Sequence, residues 1–329
     1  MRAQRPPAVA GWRAGAVVAP PVARGNRSEN GRAPAVSSGS KKKTTTPPFE
    51  LCNLDGRLNG RLAEGFVCPD CAGQGFRIEE DDQGYTTRIP CTCMDFSHRL
   101  KLLNEAGIPG KFAETQFETY HPLGNSQRLA LKMAKDFAAD FGPSVKGLLF
   151  MGQPGLGKTH LAVSILRELI LKHGIECRFV DFFQLLSDIR HGYSQDLSEQ
   201  AIINPYVHAP VLVIDELAKG RNTEWEQTML DQIISSRYNA ANRITLFTTN
   251  HLDQNADNEK ATQGNGGERV DPAKSYGSKK TGETLAERLG PRIYSRLTEM
   301  CRFVKMEGED YRPHMVIPPA TGSRLKHSA

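Results

Sequence analysis

The stretch Gly152-Gln-Pro-Gly-Leu-Gly-Lys158-Thr159 constrains the fold more than any other part of this chain. It fits the pattern GxxxxGK[ST], with the apolar run "GLLFM" before it and the helix-patterned "HLAVSILREL" after it. The chemistry asks for that order. Glycines let backbone N–H groups close around phosphates, and the N-terminus of the following helix adds partial positive charge. Gly152, Gln153, Pro154, Gly155, Leu156, Gly157, Lys158, Thr159 and His160 are therefore expected at a nucleotide. Lys158 would reach the β- and γ-phosphates, and the Thr159 hydroxyl would bind Mg2+. A Gly-rich turn that merely opens a helix would need neither Lys-Thr at that offset nor the strand before it.

A strand–loop–helix unit of this kind implies further βα units, and they follow. Apolar strand-like runs at Val145–Met151, Cys177–Val180, Val211–Ile214, Ile244–Thr248 and Phe303–Met306 alternate with amphipathic helical stretches. That alternation predicts an α/β domain with a parallel sheet. The run "PVLVIDEL" ends in Asp215-Glu216. A buried strand delivering a carboxylate at its C-terminal end brings Asp215 to the phosphates, where it can hold Mg2+ directly or through water. Glu216 is suited to polarising an attacking water, a base that a small-molecule kinase does not need. The next run, "RITLFTTN", ends in Asn250, a candidate hydrogen-bond donor to the γ-phosphate or its water.

Upstream, Cys68-x2-Cys71 and Cys91-x-Cys93 are separated by a stretch that reads as a β-hairpin, "GFRIEE" and "YTTRI" around "DDQG". The hairpin would fold the pairs together into a closed, structural Zn2+ site of zinc-ribbon type. A segment so poor in apolar residues needs such a staple. Cys52 and His98 are spare ligands. "GIPGKF", at Gly107–Phe112, reads as a hinge between this part and the next. His121, His160, His173 and His208 have no metal-like grouping, and Cys177 and Cys301 abut strands, where burial is expected.

The expected organisation is a disordered basic tail over 1–48, a zinc-binding N-terminal domain over 49–115, the nucleotide-binding domain over 116–318, and a tail over 319–329. A polar insertion at 253–282, nearly free of apolar residues, interrupts the large domain. The chain of 329 residues is 39% hydrophobic, which is ample for one large domain and a small one. No apolar run approaches the roughly 18 residues that cross a bilayer. The tail's arginines come without amphipathic periodicity or the apolar core of a secretion signal, so a cytoplasmic protein with reduced thiols is expected. The net charge of +5 permits a nucleic-acid partner without demanding one.

Late in the chain, "ERLGPRIYSRLTEMCRF" sets Arg292 and Arg296 four residues apart. On a helix both guanidinium groups share one face, and no acid four residues away is placed to relieve both. Pro291 is suited to a first helical turn, so Arg288 need not share that face.

Together "LFMGQPGLGKTHLAVSI", "VLVIDEL", the stretch Ile234–Ala240, "TTN" and "ERLGPRIYSRL" with "GEDYR" resemble the DnaC/IstB branch of the AAA+ ATPases. That branch comprises replicative helicase loaders and ATPase helpers of insertion-sequence transposition. The resemblance spans about Cys68 to Pro318. It implies ATP hydrolysis and an arginine finger, Arg296, supplied to the ATP of a neighbouring subunit in a homo-oligomer. It also implies a sensor arginine, Arg312, at the γ-phosphate, with Arg292 in the accompanying motif position. Loaders of the DnaI type carry a comparable cysteine-bearing segment that engages the helicase, which favours replication. Initiator and loader ATPases also carry an extra helix for single-stranded DNA, here matched by "RFVDFFQLLSDIRHGYSQD" with Phe182, Phe183, Arg190, His191 and Tyr193. Phe183, Leu186 and Ile189 also fall at core spacing, and Lys219–Arg221 offers further phosphate contacts. The implied partners are single-stranded DNA and a replicative helicase. The alternatives are an IstB-like transposition helper, a P-loop small-molecule kinase, and a zinc-stabilised nucleic-acid module in which nucleotide is only structural.

Overall fold

A computed structural model describes residues 47–80, 83–142, 145–240, 242–253 and 283–312. The expected tails at 1–48 and 319–329 and the insertion at 253–282 lie outside these residues, apart from positions 47, 48 and 253. The described residues fall within one compact unit, Thr44–Ala329.

Its centre is a five-stranded parallel sheet in the order β6-β7-β8-β5-β9, formed by β5 (Gly147–Met151), β6 (Cys177–Asp181), β7 (Val211–Asp215), β8 (Ile244–Thr249) and β9 (Cys301–Lys305). Every residue of β5, β7 and β8 is buried, as expected of strands covered on both faces. Alternate residues feed two cores. Leu148, Phe150, Val211, Val213 and Leu246 face one side with α2 (Asn125–Ala139) and α3 (Lys158–His173). Leu149, Met151, Leu212, Ile214 and Phe247 face the other. There they meet α4 (Phe182–Ser194), α5 (Glu199–His208), α6 (Glu224–Tyr238) and α7 (Leu285–Met300). A period of two along each strand produces this division, and the strand positions agree with the apolar runs of the sequence.

Local signals set the helix limits. Capping boxes at Thr223–Glu226 and Thr284–Glu287 open α6 and α7. Gly174, in the left-handed region, closes α3. Helix α7 breaks at Gly290 (φ 74°, ψ 161°), and Pro291 begins its second segment, matching the tolerance of proline in a first turn.

Two antiparallel hairpins precede the sheet: β1 (Phe49–Leu54) with β2 (Arg57–Leu62), and β3 (Phe76–Glu80) with β4 (Thr86–Pro90). The second is the expected cysteine hairpin. The first was not legible in the sequence, yet Leu51 and Leu58 enter the same core as Phe150 and Leu161. Helix α1 (Thr92–Glu105) follows, and Arg99 donates to the carbonyls of Leu171 and Lys172 at the end of α3 (2.8 Å each). The Gly107–Phe112 stretch is bound on both sides. Leu58 N donates to Ile108 O (2.7 Å), Gly110 N to Gly56 O (2.8 Å) and Phe179 N to Ala106 O (2.7 Å). Chain hydrogen-bonded in this way does not act as the free hinge its glycines and proline predict.

Candidate active site

The loop between β5 and α3 places Gly152 to Thr159 at the C-terminal edge of the sheet, beside the ends of β7 and β8. Gly152 (φ 144°) has no room for a side chain, since a Cβ would stand 2.1 Å from Met306 O. Gly157 (φ 81°) caps α3, and a Cβ there would stand 2.5 Å from the Tyr120 ring. Tyr120 donates its hydroxyl to Leu156 O (2.9 Å), so the segment before α2 braces the loop.

Lys158 is buried, and its Nζ donates to Gly152 O (2.8 Å) and Gln153 O (2.7 Å). Burial pushes its pKa down to about 8, with Asp215 and Glu216 pulling it upward and Arg312 adding to the fall. Thr159 Oγ1 donates to Asp215 Oδ1 (2.8 Å), and Thr248 Oγ1 donates to the same oxygen (2.6 Å). Burial raises the Asp215 pKa, against those two hydrogen bonds. Adjacent hydroxyl and carboxylate oxygens make a donor set that suits a small hard cation such as Mg2+. Thr248 was legible only as one of several polar residues at a strand tip. In the fold it also accepts from Glu216 N (2.9 Å), so it aligns both acids.

Glu216 adopts φ 55°, and its carboxylate pairs with Lys219 of the same loop. Asn250 follows β8 directly and is exposed. His160 turns inward, with Nε2 2.9 Å from Gln116 O and its ring 5.3 Å from that of Tyr120. Arg312 is 61% exposed, and its Nε donates to Asp310 Oδ1 (3.0 Å). Its neighbour Tyr311 donates its backbone N–H to Gly155 O (3.1 Å), which brings the last described residues onto the phosphate loop.

The arginine pair has the acid that its own helix lacks. Asp231 on α6 accepts from Arg296 Nη1 at 2.6 Å and lies 3.6 Å from Arg292 Nη2. Arg296, 21% exposed, is held between that carboxylate and the Tyr238 ring, whereas Arg292 is 73% exposed. On α4, Phe182 is buried with Leu185, Leu186 and Ile189, which removes it from the candidate DNA contacts and makes it, rather than Phe183, part of the core stripe. Phe183, His191 and Tyr193 are exposed. Arg190 stacks 4.5 Å from the Trp225 ring and lies 3.6 Å from the buried carboxylate of Glu226.

The sulfurs of Cys68, Cys71, Cys91 and Cys93 all lie within 4.8 Å of one another, the one such cluster among the described residues. Cys68 and Cys91 are 3.7 Å apart and Cys71 and Cys93 3.5 Å, far beyond disulfide length. A tetrahedral Zn2+ with bonds of about 2.3 Å sets its sulfurs about 3.8 Å apart, so the quartet fits that ion. Burial and the neighbouring thiols push the Cys68 and Cys93 thiols up, whereas Cys71, against burial, is brought down to about 7 by the Gly75 N–H and the other three thiols. Cys52 and His98 stand outside the cluster.

Comparison with known proteins accords with this geometry. The family described as "IstB-like ATP binding protein" matches residues 102–257. The replicative helicase loader DnaC of Buchnera aphidicola subsp. Schizaphis graminum is 30% identical over 152 residues, covering 46% of this chain and 61% of that protein. DnaC of Escherichia coli K12 is 25% identical over 155 residues, covering 47% and 63%. The chain thus spans less than two thirds of these loaders. The uncharacterized protein YdaV of Escherichia coli K12 is 28% identical over 219 residues, covering 66% and 76%. Among solved structures, the crystal structure of the DnaC helicase loader is 29% identical, with a TM-score of 0.48 over 60% of this chain and 99% of that one. Over its ATP-binding region, the chain is thus similar to the IstB-like ATP-binding proteins and to the DnaC helicase loaders.

Proposed function

We propose that this protein hydrolyses ATP in DNA replication, loading a replicative helicase onto single-stranded DNA as an oligomer. The observation that carries the reading is the convergence of Lys158, Thr159, Asp215 and Thr248 at one strand edge, with Glu216 next along. The match to the IstB-like ATP-binding proteins and the similarity to DnaC loaders support the replication setting. The phosphate loop from Gly152 to Thr159 holds ATP, and Thr159 and Asp215 hold Mg2+, which supplies charge stabilisation at the phosphates. Glu216 activates water, Arg312 and Asn250 contact the γ-phosphate, and Arg296 acts on the ATP of a neighbouring subunit. For Glu216 to act, its carboxylate exchanges Lys219 for water. For Arg296 to act, its guanidinium turns outward from Asp231. The cysteine quartet holds a structural Zn2+. The division into 49–115 and 116–318, and a cytoplasmic location, belong to the same proposal.

The test is ATP turnover with and without single-stranded DNA, for wild type and Arg296→Ala, across a range of protein concentrations. Turnover per chain should rise with concentration and with single-stranded DNA, and the variant should bind ATP but turn it over at least about tenfold more slowly. Full turnover by the variant overturns the finger assignment. Stimulation by duplex rather than single-stranded DNA supports a transposition helper instead. Turnover by a monomer that needs a small-molecule acceptor supports a kinase.

A further inference from the structure

Arg288 lies four residues before Arg292, on the other side of the break at Gly290, and no part of the proposed mechanism uses it. Its side chain is 16% exposed and turned away from Asp231, towards the loop that leaves β7 after Glu216. Nε donates to Ala218 O at 2.5 Å, Nη2 donates to Gly220 O, and Nη1 pairs with Glu283 Oε2 at 2.6 Å. One guanidinium thus takes two backbone carbonyls, two and four residues beyond the candidate base. The planar fork of arginine can do this; an ammonium ion offers no such fixed pair of donors.

That loop needs holding. Glu216 (φ 55°), Ala218 (φ 65°) and Asn222 (φ 59°) all lie in the left-handed region, which residues with a Cβ avoid unless their surroundings impose it. The first half of the imposition comes from β8. Glu216 N donates to Thr248 Oγ1 (2.9 Å), Leu217 N donates to Thr248 O (2.7 Å), and Leu217 O accepts from Thr249 Oγ1 (2.9 Å). Beyond Leu217 the strand has no further reach, and Arg288 takes over at Ala218 and Gly220. Gln227 adds a smaller tie, donating to Asn222 Oδ1 at 2.9 Å.

We propose that Arg288 is a positioning residue for Glu216: it fixes the strained loop after β7, and so fixes the direction in which the Glu216 carboxylate is presented. This rests on the reading of Glu216 as the base that activates water. The same α7 presents Arg292 and Arg296 beyond its break at Gly290, so one helix fixes the acid of its own site while carrying the arginines meant for another.

The test separates binding from turnover in the full chain, using Arg288→Ala, Arg288→Lys and Glu216→Gln. Arg288→Ala should keep ATP affinity within about twofold, because the phosphate loop is untouched, and lose turnover by about ten- to a hundredfold, the scale of a misplaced catalytic group. Amide exchange at Lys219–Asn222 should speed up while that of β7 stays slow. Arg288→Lys keeps the charge and one hydrogen bond, so it remains readable should the alanine variant not fold; its turnover should fall between the two at unchanged affinity. Wild-type turnover in either variant, or a turnover loss matched by an equal loss of ATP affinity, overturns the proposal. If Glu216→Gln itself turns over ATP like wild type, the reading of the base has failed. If Glu216→Gln is inactive and Arg288→Ala is not impaired, only the role of Arg288 has failed.

Discussion

The two N-terminal hairpins share one backbone plan and are held by different physics. In β1–β2, Leu58 is fully buried, Leu51 joins it in the main core, and Asn104 of α1 exchanges two hydrogen bonds with the Gly60 backbone (2.6 and 3.1 Å). In β3–β4 the strands are largely exposed, Ile78 and the nearby Tyr85 face solvent, and the buried matter behind them is the sulfur quartet with Phe66. Two-stranded hairpins are marginal on their own. One borrows stability from a hydrophobic core that spans the domain, and the other sits against a thiol quartet that the proposed Zn2+ would staple. The difference teaches that closeness in sequence does not make these hairpins one unit of stability.

The largest effect should come from breaking the metal site. Chelation, or Cys91→Ser, should remove about one Zn2+ per chain, and β3–β4 amides should then exchange near the unfolded rate. ATP affinity and the protection of β1–β2 should persist. Collapse of ATP binding along with the metal would show that the two hairpins are held together after all.

A smaller and opposite effect is expected from Leu58→Ala, which removes a fully buried side chain at the main core. The cost should be about 2–5 kcal/mol of global stability, read by denaturant unfolding. Zinc content per folded chain should not change. An unfolding midpoint like that of wild type would place β1–β2 outside the cooperative unit.

The smallest effect is on pH dependence, and it tests whether the zinc hairpin and the phosphate loop are electrically separate. Lys158 in the free protein has its pKa pushed down to about 8 from the usual 10.5. Phosphate favours the charged form, so ATP affinity should fall as pH rises through about 8, by up to about tenfold per pH unit. Stability runs the other way. Between about pH 8 and 10.5 the unfolded chain holds the Lys158 proton that the folded chain has lost, so this group adds stability as pH rises there. Below about pH 8 both states are protonated, and the full cost of the buried charge remains. Chelation should leave the ATP profile unmoved, as titrated by calorimetry from pH 7 to 9.5.

Much of the site was legible before any coordinates, because its chemistry is written at fixed offsets. A phosphate loop needs Gly, Lys and Thr at set positions between a strand and a helix, and Asp215 had to stand at the end of a buried run. The cysteine pairs were readable for the same reason, since metal ligands come in short, countable spacings. Period-two and period-3.6 apolar patterns located the strands of the sheet and the helices that flank them.

Hairpin β1–β2 escaped notice because "FELCNLDGRLNGRL" is nearly as polar as a loop, and its two buried leucines matter only once α1 and the sheet supply a core to receive them. On α4, helical spacing alone could not say whether Phe182 or Phe183 faces inward; the second core, which buries Phe182 together with Val180 and Leu230, decided it. The late arginines show the division most clearly. Their spacing already placed Arg292 and Arg296 on one face and allowed Arg288 another. Only the fold could say that Asp231, more than sixty residues upstream, pairs with the first two, and that Arg288 closes on Ala218 and Gly220. Local geometry follows from neighbours in sequence, whereas the partner of a charge is whatever the packed chain brings within a few ångströms of it.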